Sequence, residues 1–332
     1  MAIRVLHAGL GPIGSAVVRQ VATRRGFKIV GAVDISPEKT GQDLGIVAGL
    51  EKKLRIEVTD ELASAIKKTK PDVVVLCTSS SLAKVAEQLE TIFKRRVPVV
   101  STTEELAYPF FSHRKLAKQI DERAKKAKVA VLGTGVNPGF TMDALPIMLT
   151  AVCERVDAIH VDRVQDAAKR RLPFQQKIGA GLTPELFQDR VKAGTVRHVG
   201  LTESIAMIAD AMRWKLDDIT DDIAPKIADA AVASEFLTVE PGQVCGIIQD
   251  GAGFRKGEKV ISLHMEAYLG APESFDAVRV TGSPSLYSKI AGGVHGDIAT
   301  ASITVNSIPA VLEAPAGLHT MRSLRLPSYF GG

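Results

Sequence analysis

Short apolar runs and helical periodicity alternate through the first third of the chain. Residues 72–77 are almost all apolar, which is typical of a parallel strand covered on both faces. Residues 13–24 instead place Val17, Val18 and Val21 on one face at helical spacing. Further strands are predicted at 3–8, 28–33, 98–102 and 129–132, and further helices at 81–93 and 111–126. Strands and helices that alternate with short connections predict an α/β fold built on a doubly wound parallel sheet.

The pattern changes in the Gly- and Pro-rich segment 133–139, where a domain boundary is expected. Beyond it, strands are predicted at 157–164, 232–239, 243–250, 258–268 and 278–281, and helices at 184–193 and 201–212. This pattern indicates an α+β domain with a mainly antiparallel, partly exposed sheet. We therefore expect a first domain over 1–135, a second over 136–299, and a tail over 300–332 that packs back onto the first. A last helix is predicted over 296–318, broken at Pro309 and Pro315.

Composition narrows the kinds of function. The formal net charge is +5 over 332 residues, and only 5% of the residues are aromatic. Nucleic-acid sites combine basic residues with aromatic rings, so no nucleic-acid partner is expected. Cys77, Cys153 and Cys245 are far apart, so we expect neither a disulfide framework nor a metal site, in keeping with a reducing cytoplasm. The first residues enter a predicted strand directly, so no secretory signal is expected. No apolar run reaches the ~18 residues that span a bilayer, so no membrane segment is expected.

A glycine-rich turn follows the first predicted strand and opens the first predicted helix. Gly9, Gly11 and Gly14 match the spacing GxGxxG, with Pro12 and Ile13 before the last glycine. In such a turn the first glycine allows a sharp bend, the second lets a ligand approach the backbone, and the third lets helix and strand pack closely. The free N–H groups of the helix start then face the phosphates of a dinucleotide. The turn predicts a Rossmann-type site for NAD or NADP.

An acidic residue stands where the adenosine ribose is expected. Asp34 ends the second predicted strand, 20 positions after Gly14, and a carboxylate at this place binds the ribose hydroxyls. Its charge favours NAD, because a carboxylate repels the 2′-phosphate of NADP. Lys39 follows closely and offers that phosphate a positive partner, so the use of both coenzymes stays open.

Hydroxyl side chains follow the strand predicted at 72–77, at the end where ligands bind in open α/β sheets. They are Thr78, Ser79 and Ser80, and they are candidates for lining the nicotinamide side of the site. Capping of the next helix by Ser79 or Ser81 explains the same residues equally well.

Two carboxylates follow another predicted strand at the same edge of the sheet. Glu104 and Glu105 come directly after Ser101-Thr102-Thr103. Hydride transfer at a carbon that bears nitrogen or oxygen requires a proton partner, and a partly buried glutamate supplies one. A capping box, with Thr102 or Thr103 before an acidic first turn, is the more common explanation of such a pattern.

Two basic residues of the second half are candidates for polar contacts. Arg163 lies on the first strand after the boundary, and a guanidinium there can hold a carboxylate through two parallel hydrogen bonds. An ion pair with a neighbouring acid is the more common role of such an arginine. His264 lies on a later strand, where a histidine is more often structural than catalytic. Asparagine occurs only at Asn137 and Asn306, which are candidates for specific roles, with chance an equal explanation.

Five segments together carry a resemblance to a known family. They are the turn from Gly9 to Gly14, Ser101-Thr102-Thr103-Glu104-Glu105-Leu106, Asn137-Pro138-Gly139-Phe140, Gln176-Lys177-Ile178-Gly179 and Val305-Asn306-Ser307-Ile308-Pro309. Through them the whole chain resembles 2,4-diaminopentanoate dehydrogenase and the related native amine dehydrogenases, whose Rossmann half is similar to that of dihydrodipicolinate reductase. The resemblance implies reversible oxidation of an amine to a ketone with NAD(P) and release of ammonia, a homodimer and no metal.

The same resemblance implies roles for single residues. Glu104 is implied to be the catalytic carboxylate, which holds ammonia or water and moves protons while hydride passes between carbon and nicotinamide, with Glu105 as the alternative. Phe140 is implied to wall the substrate pocket. The polar pocket residues implied by the resemblance, suited to an amino-acid carboxylate, are Asn137, Arg163 and His264.

The sequence departs from dihydrodipicolinate reductases near residues 161–181. Those enzymes carry a histidine pair followed by a lysine and a Ser-Gly-Thr loop, whereas this chain reads Val161-Asp162-Arg163-Val164-Gln165-Asp166. The departure speaks against the reduction of dihydrodipicolinate in lysine biosynthesis. A dehydrogenase of the dihydrodipicolinate or homoserine type, built on the same scaffold, is still the nearer alternative to an amine dehydrogenase. A non-catalytic NAD(P)-sensing protein is the more distant one, since sensing needs no carboxylate beside the nicotinamide.

Overall fold

A computed structural model describes residues 2–331 of the chain. Up to residue 133 the strands are β1 (Ile3–Ala8), β2 (Phe27–Val33), β3 (Val58–Thr59), β4 (Val73–Leu76), β5 (Val99–Ser101) and β6 (Ala130–Gly133). The helices in this part are α1 (Pro12–Thr23), α2 (Leu44–Val47), α3 (Leu62–Thr69), α4 (Leu82–Phe93) and α5 (Arg114–Ala127), with a 3₁₀ turn at Glu104–Leu106. The predicted alternation is confirmed, and the structure adds α2, β3 and α3 between β2 and β4.

The rest of the chain continues with more strand than helix. The strands are β7 (Arg155–Asp166), β8 (Asp218–Ile227), β9 (Val232–Ala233), β10 (Thr238–Val239), β11 (Val244–Arg255), β12 (Glu258–Tyr268), β13 (Phe275–Ser283), β14 (Leu286–Ala291) and β15 (Gly317–His319). The helices are α6 (Ala144–Leu149), α7 (Leu172–Lys177), α8 (Pro184–Lys192), α9 (Leu201–Ala211) and α10 (Gly296–Glu313). Two compact units result: the first holds the residues up to Phe140 and from His295 onward, and the second is Thr141–Val294.

The first unit is built on a seven-stranded parallel sheet. Its strand order is β15-β6-β5-β4-β1-β2-β3, and every neighbouring pair runs parallel. Right-handed crossovers in this order place helices on both faces, which explains why the strands are apolar on both sides. One layer of the core holds α4, where Val85, Leu89 and Ile92 are fully buried. In the other layer α1 packs against α10, and the Gln20 amide donates to the Ser302 hydroxyl at 3.0 Å.

The strand order of this sheet determines where a ligand binds. From β1 the chain moves outward to β2 and β3, then crosses back to β4 on the other side of β1. The connections at the carboxyl ends of β1 and β4 therefore diverge and leave a crevice between them. The glycine turn after β1, the loop after β4 and the Glu104 turn after β5 all lie at this edge.

The second unit is built on a six-stranded mixed sheet. Its order is β14-β13-β7-β12-β11-β8, in which β7 and β12 are parallel and the other neighbours are antiparallel. Helix α9 packs on one face, where a Cβ on Gly251 or Gly253 would come within 2.9 Å of Ile205. Because the two glycines of β11 lack side chains, the helix can approach the sheet closely.

The prediction for the second half is wrong in several details. Helix α10 is continuous through Pro309 and ends before Pro315, because its packing against the first sheet outweighs one lost backbone hydrogen bond. The strand predicted at 232–239 is the short pair β9 and β10. Strands β8 and β14 were absent from the prediction, since both are sheet edges with many polar positions.

Candidate active site

The turn between β1 and α1 leaves no room for side chains at two of its glycines. Gly9 has a φ of +88°, and a Cβ there would lie 2.5 Å from the Cys77 carbonyl oxygen. A Cβ on Gly14 would lie 1.9 Å from the Gly9 carbonyl oxygen. Glycine is therefore required at both positions, by backbone conformation at Gly9 and by the close approach of helix and strand at Gly14.

Gly11 differs from the other two glycines because its surroundings are open. It is the N-cap of α1, no side chain caps the helix, and a Cβ on it would meet nothing within 4 Å. Pro12 and Ile13 begin the helix, so the first turn presents backbone N–H groups without a side-chain acceptor. Such a helix start holds anions through its N–H groups and its partial positive charge. The residues present thus fit the pyrophosphate of a dinucleotide.

Asp34 is fixed at the end of β2 by three donors. Its carboxylate accepts hydrogen bonds from the Leu10 amide at 2.7 Å and the Ser36 amide at 2.9 Å, and Lys39 Nζ lies 3.2 Å away. Burial acts to raise the pKa of Asp34, but these hydrogen bonds and the Lys39 charge hold that pKa below its ordinary value. Asp34 is therefore an ionised acceptor tied to the glycine turn through Leu10.

A cavity of about 550 Å³ opens at the carboxyl ends of β1, β2 and β4. The predicted coenzyme residues that line it are Gly9, Gly11, Asp34, Lys39, Thr78 and Ser79. Those that do not line it are Pro12, Ile13, Gly14 and Ser80. Ile35 and Leu62 also line the cavity and offer apolar contacts to a base. Sequence reasoning missed both residues. The one available signal was the position of Ile35 directly after Asp34, and in the structure Ile35 is 83% exposed.

The structure distinguishes the two carboxylates after β5. Glu105 is engaged, since its Oε2 accepts the Leu82 amide at 2.7 Å and lies 3.3 Å from His113 Nε2. Across residues 2–331, by contrast, the Glu104 carboxylate takes part in no hydrogen bond or ion pair. Glu104 is half-buried, at the same edge of the sheet as the glycine turn. Of the two, Glu104 is therefore the carboxylate that the other described residues leave unoccupied.

The segment after β6 forms a tight buried turn in the first unit. Asn137 is buried and its peptide bond to Pro138 is cis. Gly139 has a φ of +128°, and a Cβ there would lie 2.4 Å from the Gly135 nitrogen, so the position requires glycine. Phe140 follows and is half-buried. The two candidate pocket residues of this unit, Asn137 and Phe140, thus belong to one turn beyond the carboxyl end of β6.

Arg163 forms a buried ion pair in the second unit. Its guanidinium contacts the Asp276 carboxylate, lies 3.2 Å from the Thr141 hydroxyl and donates to the Val294 carbonyl at 3.0 Å. Asp276 in turn accepts the Val294 amide at 2.7 Å. Burial lowers the pKa of Arg163, and the Asp276 charge opposes that change. Sequence reasoning missed Asp276, because this partner on β13 is 113 positions away and no local pattern connects the two.

His264 lies among carboxylates on the other face of the same sheet. Its Nδ1 is 2.7 Å from Asp250 and its Nε2 is 3.1 Å from Glu266. Burial acts to lower the pKa of His264, but the two carboxylates raise it above its ordinary value. Arg163 on β7 lies opposite Met265 on the neighbouring strand β12, so both side chains share one face of the sheet. His264 is adjacent to Met265 in the strand and therefore points to the opposite face. The structure therefore does not bring Arg163 and His264 together.

The described part of the chain, residues 2–331, offers neither a membrane-spanning helix nor a metal cluster. In this range no helix combines the length and the apolar character that a membrane crossing requires. The same range contains no group of three or more His, Cys, Asp or Glu side chains arranged to hold a metal ion. The three cysteines are free thiols.

Fold and site together define a class. A parallel sheet in this order, a glycine turn at a helix start and a fixed acid at the end of β2 are the features of a dinucleotide-binding oxidoreductase. Residues 140–332 match the family model described as 2,4-diaminopentanoate dehydrogenase C-terminal domain, and residues 3–133 match dihydrodipicolinate reductase, N-terminus. The chain is 34% identical to 2,4-diaminopentanoate dehydrogenase of Acetoanaerobium sticklandii, over 98% of this chain and 94% of that one. The chain belongs to the 2,4-diaminopentanoate dehydrogenase family.

Solved structures agree with this assignment. An amine dehydrogenase from Mycobacterium smegmatis is similar with a TM-score of 0.88 and 26% identity, over 100% of this chain and 98% of that one. A dipicolinate-bound dihydrodipicolinate reductase from Paenisporosarcina shares the fold, with a TM-score of 0.56 and 17% identity over 97% and 99% of the two chains. The predicted family, the Rossmann-type fold and the class of oxidoreductase that acts on amines are confirmed. A dehydrogenase of this type implies a nicotinamide coenzyme.

Proposed function

We propose that the chain is an NAD(P)-dependent dehydrogenase that oxidises an amine bearing a carboxylate, similar to 2,4-diaminopentanoate, to a ketone with release of ammonia. The observation that carries the proposal is that the free Glu104 carboxylate and the glycine turn share the carboxyl edge of one sheet. A dinucleotide binds along this edge in sheets of this kind. A proton-exchanging group on the same edge suits hydride transfer at a carbon that carries nitrogen.

The chain's own residues would divide the chemistry between them. Overall, the amine in its ammonium form, water and oxidised coenzyme become ketone, ammonium, reduced coenzyme and one proton. The coenzyme, when bound, supplies the hydride acceptor. Glu104 takes a proton from the substrate ammonium, so that the nitrogen lone pair can form the C=N bond as hydride leaves the carbon. Glu104 releases this proton to solvent, which is the one proton of the overall reaction, and as a carboxylate it takes a proton from the water that attacks the carbon. It returns that proton to the nitrogen, which leaves as ammonium once it also takes the remaining hydroxyl proton, and in the reverse direction Glu104 holds ammonia.

Four residues stay predictions as substrate contacts. Asn137 and Phe140 belong to the same unit as Glu104 and to a turn that follows the neighbouring strand β6, which supports a role in the pocket. Arg163 is already neutralised by Asp276, so a substrate carboxylate would compete with an existing ion pair. His264 lies on the other face of that sheet. Asn137 and Phe140 are therefore the first positions to test with a substrate panel.

The pairing of Asp34 with Lys39 supports the use of both NAD and NADP. The Lys39 amide donates to the Ser36 carbonyl at 3.0 Å, and this turn returns the lysine side chain over Asp34. The ammonium compensates the Asp34 charge that would repel a 2′-phosphate, and its side chain is still 30% exposed toward a ligand. Asp34 retains its position for the ribose hydroxyls of NAD.

We expect Lys39→Met to weaken NADP binding about tenfold more than NAD binding, the effect of ~1.4 kcal/mol from one lost phosphate contact. Titration calorimetry with each coenzyme measures the difference. Lys118→Met, at an exposed lysine that pairs with Glu122 one helical turn away, is the matched control. An equal loss of affinity for NAD and NADP would mean that Lys39 stabilises the loop and does not contact the 2′-phosphate.

We also infer a homodimer in the cytoplasm. The sheet face of the second unit that carries His264 keeps Asp250, Arg279 and Tyr287 exposed, and an open sheet face is a natural contact for a second copy. The free thiols are in keeping with a reducing compartment. Light scattering after gel filtration tests the oligomeric state, and a single monomeric species would contradict it.

Glu104→Gln tests the proposed reaction. Coenzyme reduction is followed by absorbance with 2,4-diaminopentanoate and other amines, and coenzyme oxidation with ketones and ammonia. We expect kcat to fall by about 10²–10⁴, the usual contribution of a general acid–base group, with the Kd of the coenzyme unchanged. Glu122→Gln, on the exposed side of α5, is the control. Full turnover in Glu104→Gln would refute the assignment, and coenzyme binding without any turnover in the unaltered chain would favour a sensor.

A further inference from the structure

Two backbone carbonyls of the loop after β4 accept hydrogen bonds from the segment around Glu104. The Thr103 hydroxyl donates to the Ser79 carbonyl oxygen at 2.8 Å. The Glu105 amide donates to the Ser80 carbonyl oxygen at 3.2 Å. The Glu104 turn and the loop after β4 therefore form one hydrogen-bonded body at the carboxyl edge of the sheet.

Thr103 is fully buried and is itself held by Ser101. The Thr103 amide donates to Ser101 Oγ at 3.2 Å, and the two hydroxyl oxygens are 3.0 Å apart. Ser101 Oγ is also 2.9 Å from the Leu76 carbonyl oxygen on β4. Both side chains have 0% exposure, so a ligand cannot touch either of them. Any effect of Thr103 on a reaction must pass through its neighbours.

The loop held by Thr103 also borders the coenzyme cavity. Thr78 and Ser79 line that cavity, while the Ser79 carbonyl accepts the Thr103 hydroxyl. The same short loop is thus turned toward the coenzyme on one side and toward the Glu104 turn on the other. Loss of the bond between them would therefore shift the Glu104 turn relative to the coenzyme cavity, whose other side is formed by the glycine turn and Asp34.

We infer that Thr103 is a positioning residue that fixes Glu104 relative to the coenzyme loop. This inference rests on the proposed role of Glu104. The Glu104 carboxylate has no hydrogen bond of its own within residues 2–331, so its place depends on the backbone that carries it. Proton transfer requires hydrogen-bond reach, and a misplacement of about 1 Å can cost roughly a hundredfold in rate. A buried hydroxyl bond next to Glu104 is therefore important to the rate even though it never meets the substrate.

Thr103→Val removes the hydroxyl and keeps the shape of the side chain. We expect kcat for amine oxidation to fall by roughly ten- to a hundredfold, since the acid is no longer held at its working distance. The Kd of NAD should change little, because the glycine turn and Asp34 are untouched. The solvent deuterium isotope effect on kcat should rise, because proton transfer becomes slower than the other steps. Thr103→Ser, which keeps the hydroxyl, should recover most of the lost rate.

Two controls keep the outcome interpretable. Thr23→Val removes a hydroxyl that donates to carbonyls of its own helix, those of Arg19 and Gln20, and should leave all these quantities unchanged. Glu105→Gln keeps an acceptor for the Leu82 amide but loses the ion pair with His113, and gives a second, independent displacement of the same turn. It should lower kcat less than Thr103→Val and raise the same isotope effect.

The inference fails if Thr103→Val retains the full kcat while Glu104→Gln is inactive. It also fails if Thr103→Ser is as slow as Thr103→Val, or if kcat and coenzyme affinity fall together without a change in the isotope effect. Each of these results leaves the proposed reaction standing. Activity retained in Glu104→Gln would instead remove the reaction on which the inference rests.

Discussion

The two units of the chain place their charged side chains in opposite ways. In the first unit the charged groups of the site lie at its rim, as Asp34 and Glu104 do, and the pyrophosphate site consists of backbone. In the second unit polar side chains lie inside. Arg163 pairs with Asp276 in the interior, and the fully buried Gln249 bonds to a loop and to a neighbouring strand.

This difference has a physical consequence for how each unit responds to substitution. A backbone site needs only the right chain path, so it is sensitive to an added Cβ and indifferent to most side-chain changes. A buried network of side chains is sensitive to the loss of any one member, because the remaining member is left desolvated and unpaired. The first unit should therefore be vulnerable at its glycines, and the second at its buried pairs.

Arg163→Met is expected to have the largest effect on stability. It leaves the Asp276 carboxylate in the interior without its partner, and the loss of one member of a buried pair costs about 3–5 kcal/mol in the free energy of unfolding. Urea unfolding followed by circular dichroism measures this loss. Adding Asp276→Asn to Arg163→Met removes the isolated charge but keeps an acceptor for the Val294 amide, so the double variant should recover a large part of the loss.

A double variant as unstable as Arg163→Met would show that the missing guanidinium contacts matter more than the stranded charge. A small effect in Arg163→Met alone would break the comparison, because the second unit would then tolerate loss of its internal ion pair.

The same difference explains what the sequence revealed about the first unit. GxGxxG, the acid at the end of β2 and the apolar strands are local patterns, and each depends on residues that are close in sequence. The parallel sheet and the cavity at its carboxyl edge follow from them. Even here the pattern left Glu104 and Glu105 equivalent. The structure separates them, because Glu105 bonds to Leu82, 23 positions away.

The second unit was harder to predict for the same reason. Edge strand β8 carries Asp218, Asp221 and Asp222, so its periodicity does not resemble that of a strand. Arg163 was correctly placed on a strand, but its partner Asp276 lies on a strand that pairs with it only after folding. The opposite orientation of Arg163 and His264 likewise depends on the register of two strands, which no local pattern determines.

Gly14→Ala is the corresponding test of the first unit, with Gly11→Ala as its matched partner. The Cβ of Gly14→Ala would meet the Gly9 carbonyl at 1.9 Å, so the turn must shift. We expect a loss of about 3 kcal/mol in the free energy of unfolding, at the upper end of over-packing penalties, together with loss of coenzyme binding. The Cβ of Gly11→Ala would meet nothing within 4 Å, and Gly11 has an ordinary φ of −66°. This variant should therefore fold normally but bind the coenzyme with lower affinity.

Thermal melts with and without NAD separate the two variants. Normal coenzyme affinity in Gly11→Ala would show that the pyrophosphate does not approach that part of the backbone. Normal stability in Gly14→Ala would show that the helix and the strand can separate without penalty, and would contradict the requirement for close packing at this turn.

His7 is a titratable side chain that lies buried in the first unit. It lies on β1 with 1% exposure, and within residues 2–331 neither ring nitrogen has a hydrogen-bond partner. Burial lowers its pKa from 6.5 to about 3. The folded state therefore keeps His7 neutral, while the unfolded state takes up a proton as the pH falls below about 6.5. Stability from this residue is fully present above that pH and is lost progressively down to about pH 3.

His7→Leu should remove this pH dependence. At pH 5 the proton uptake by the unfolded state costs the unaltered chain about 2 kcal/mol, and the variant should gain that amount over its difference at pH 7.5. Unfolding curves at the two pH values give the difference in free energy of unfolding between His7→Leu and the unaltered chain. The contributions of the other titrating groups are the same in both proteins and cancel in this difference. A constant difference between the two pH values would mean that the imidazole finds a partner or water in the folded state.

Asn306→Ala should have the smallest effect and bears most directly on the comparison. Asn306 Oδ1 accepts Arg24 Nη1 at 2.6 Å and the Phe330 amide at 3.2 Å, so it clamps the tail to α1 much as Asp276 clamps Val294. This clamp is only partly buried, and solvent can replace its bonds, so we expect a loss of about 1 kcal/mol. Amide exchange over 326–331 should quicken in Asn306→Ala but stay slow in Asn306→Asp, which keeps the acceptor. A loss as large as that of Arg163→Met would mean that the first unit also depends on its side-chain clamps, and burial would no longer explain the contrast.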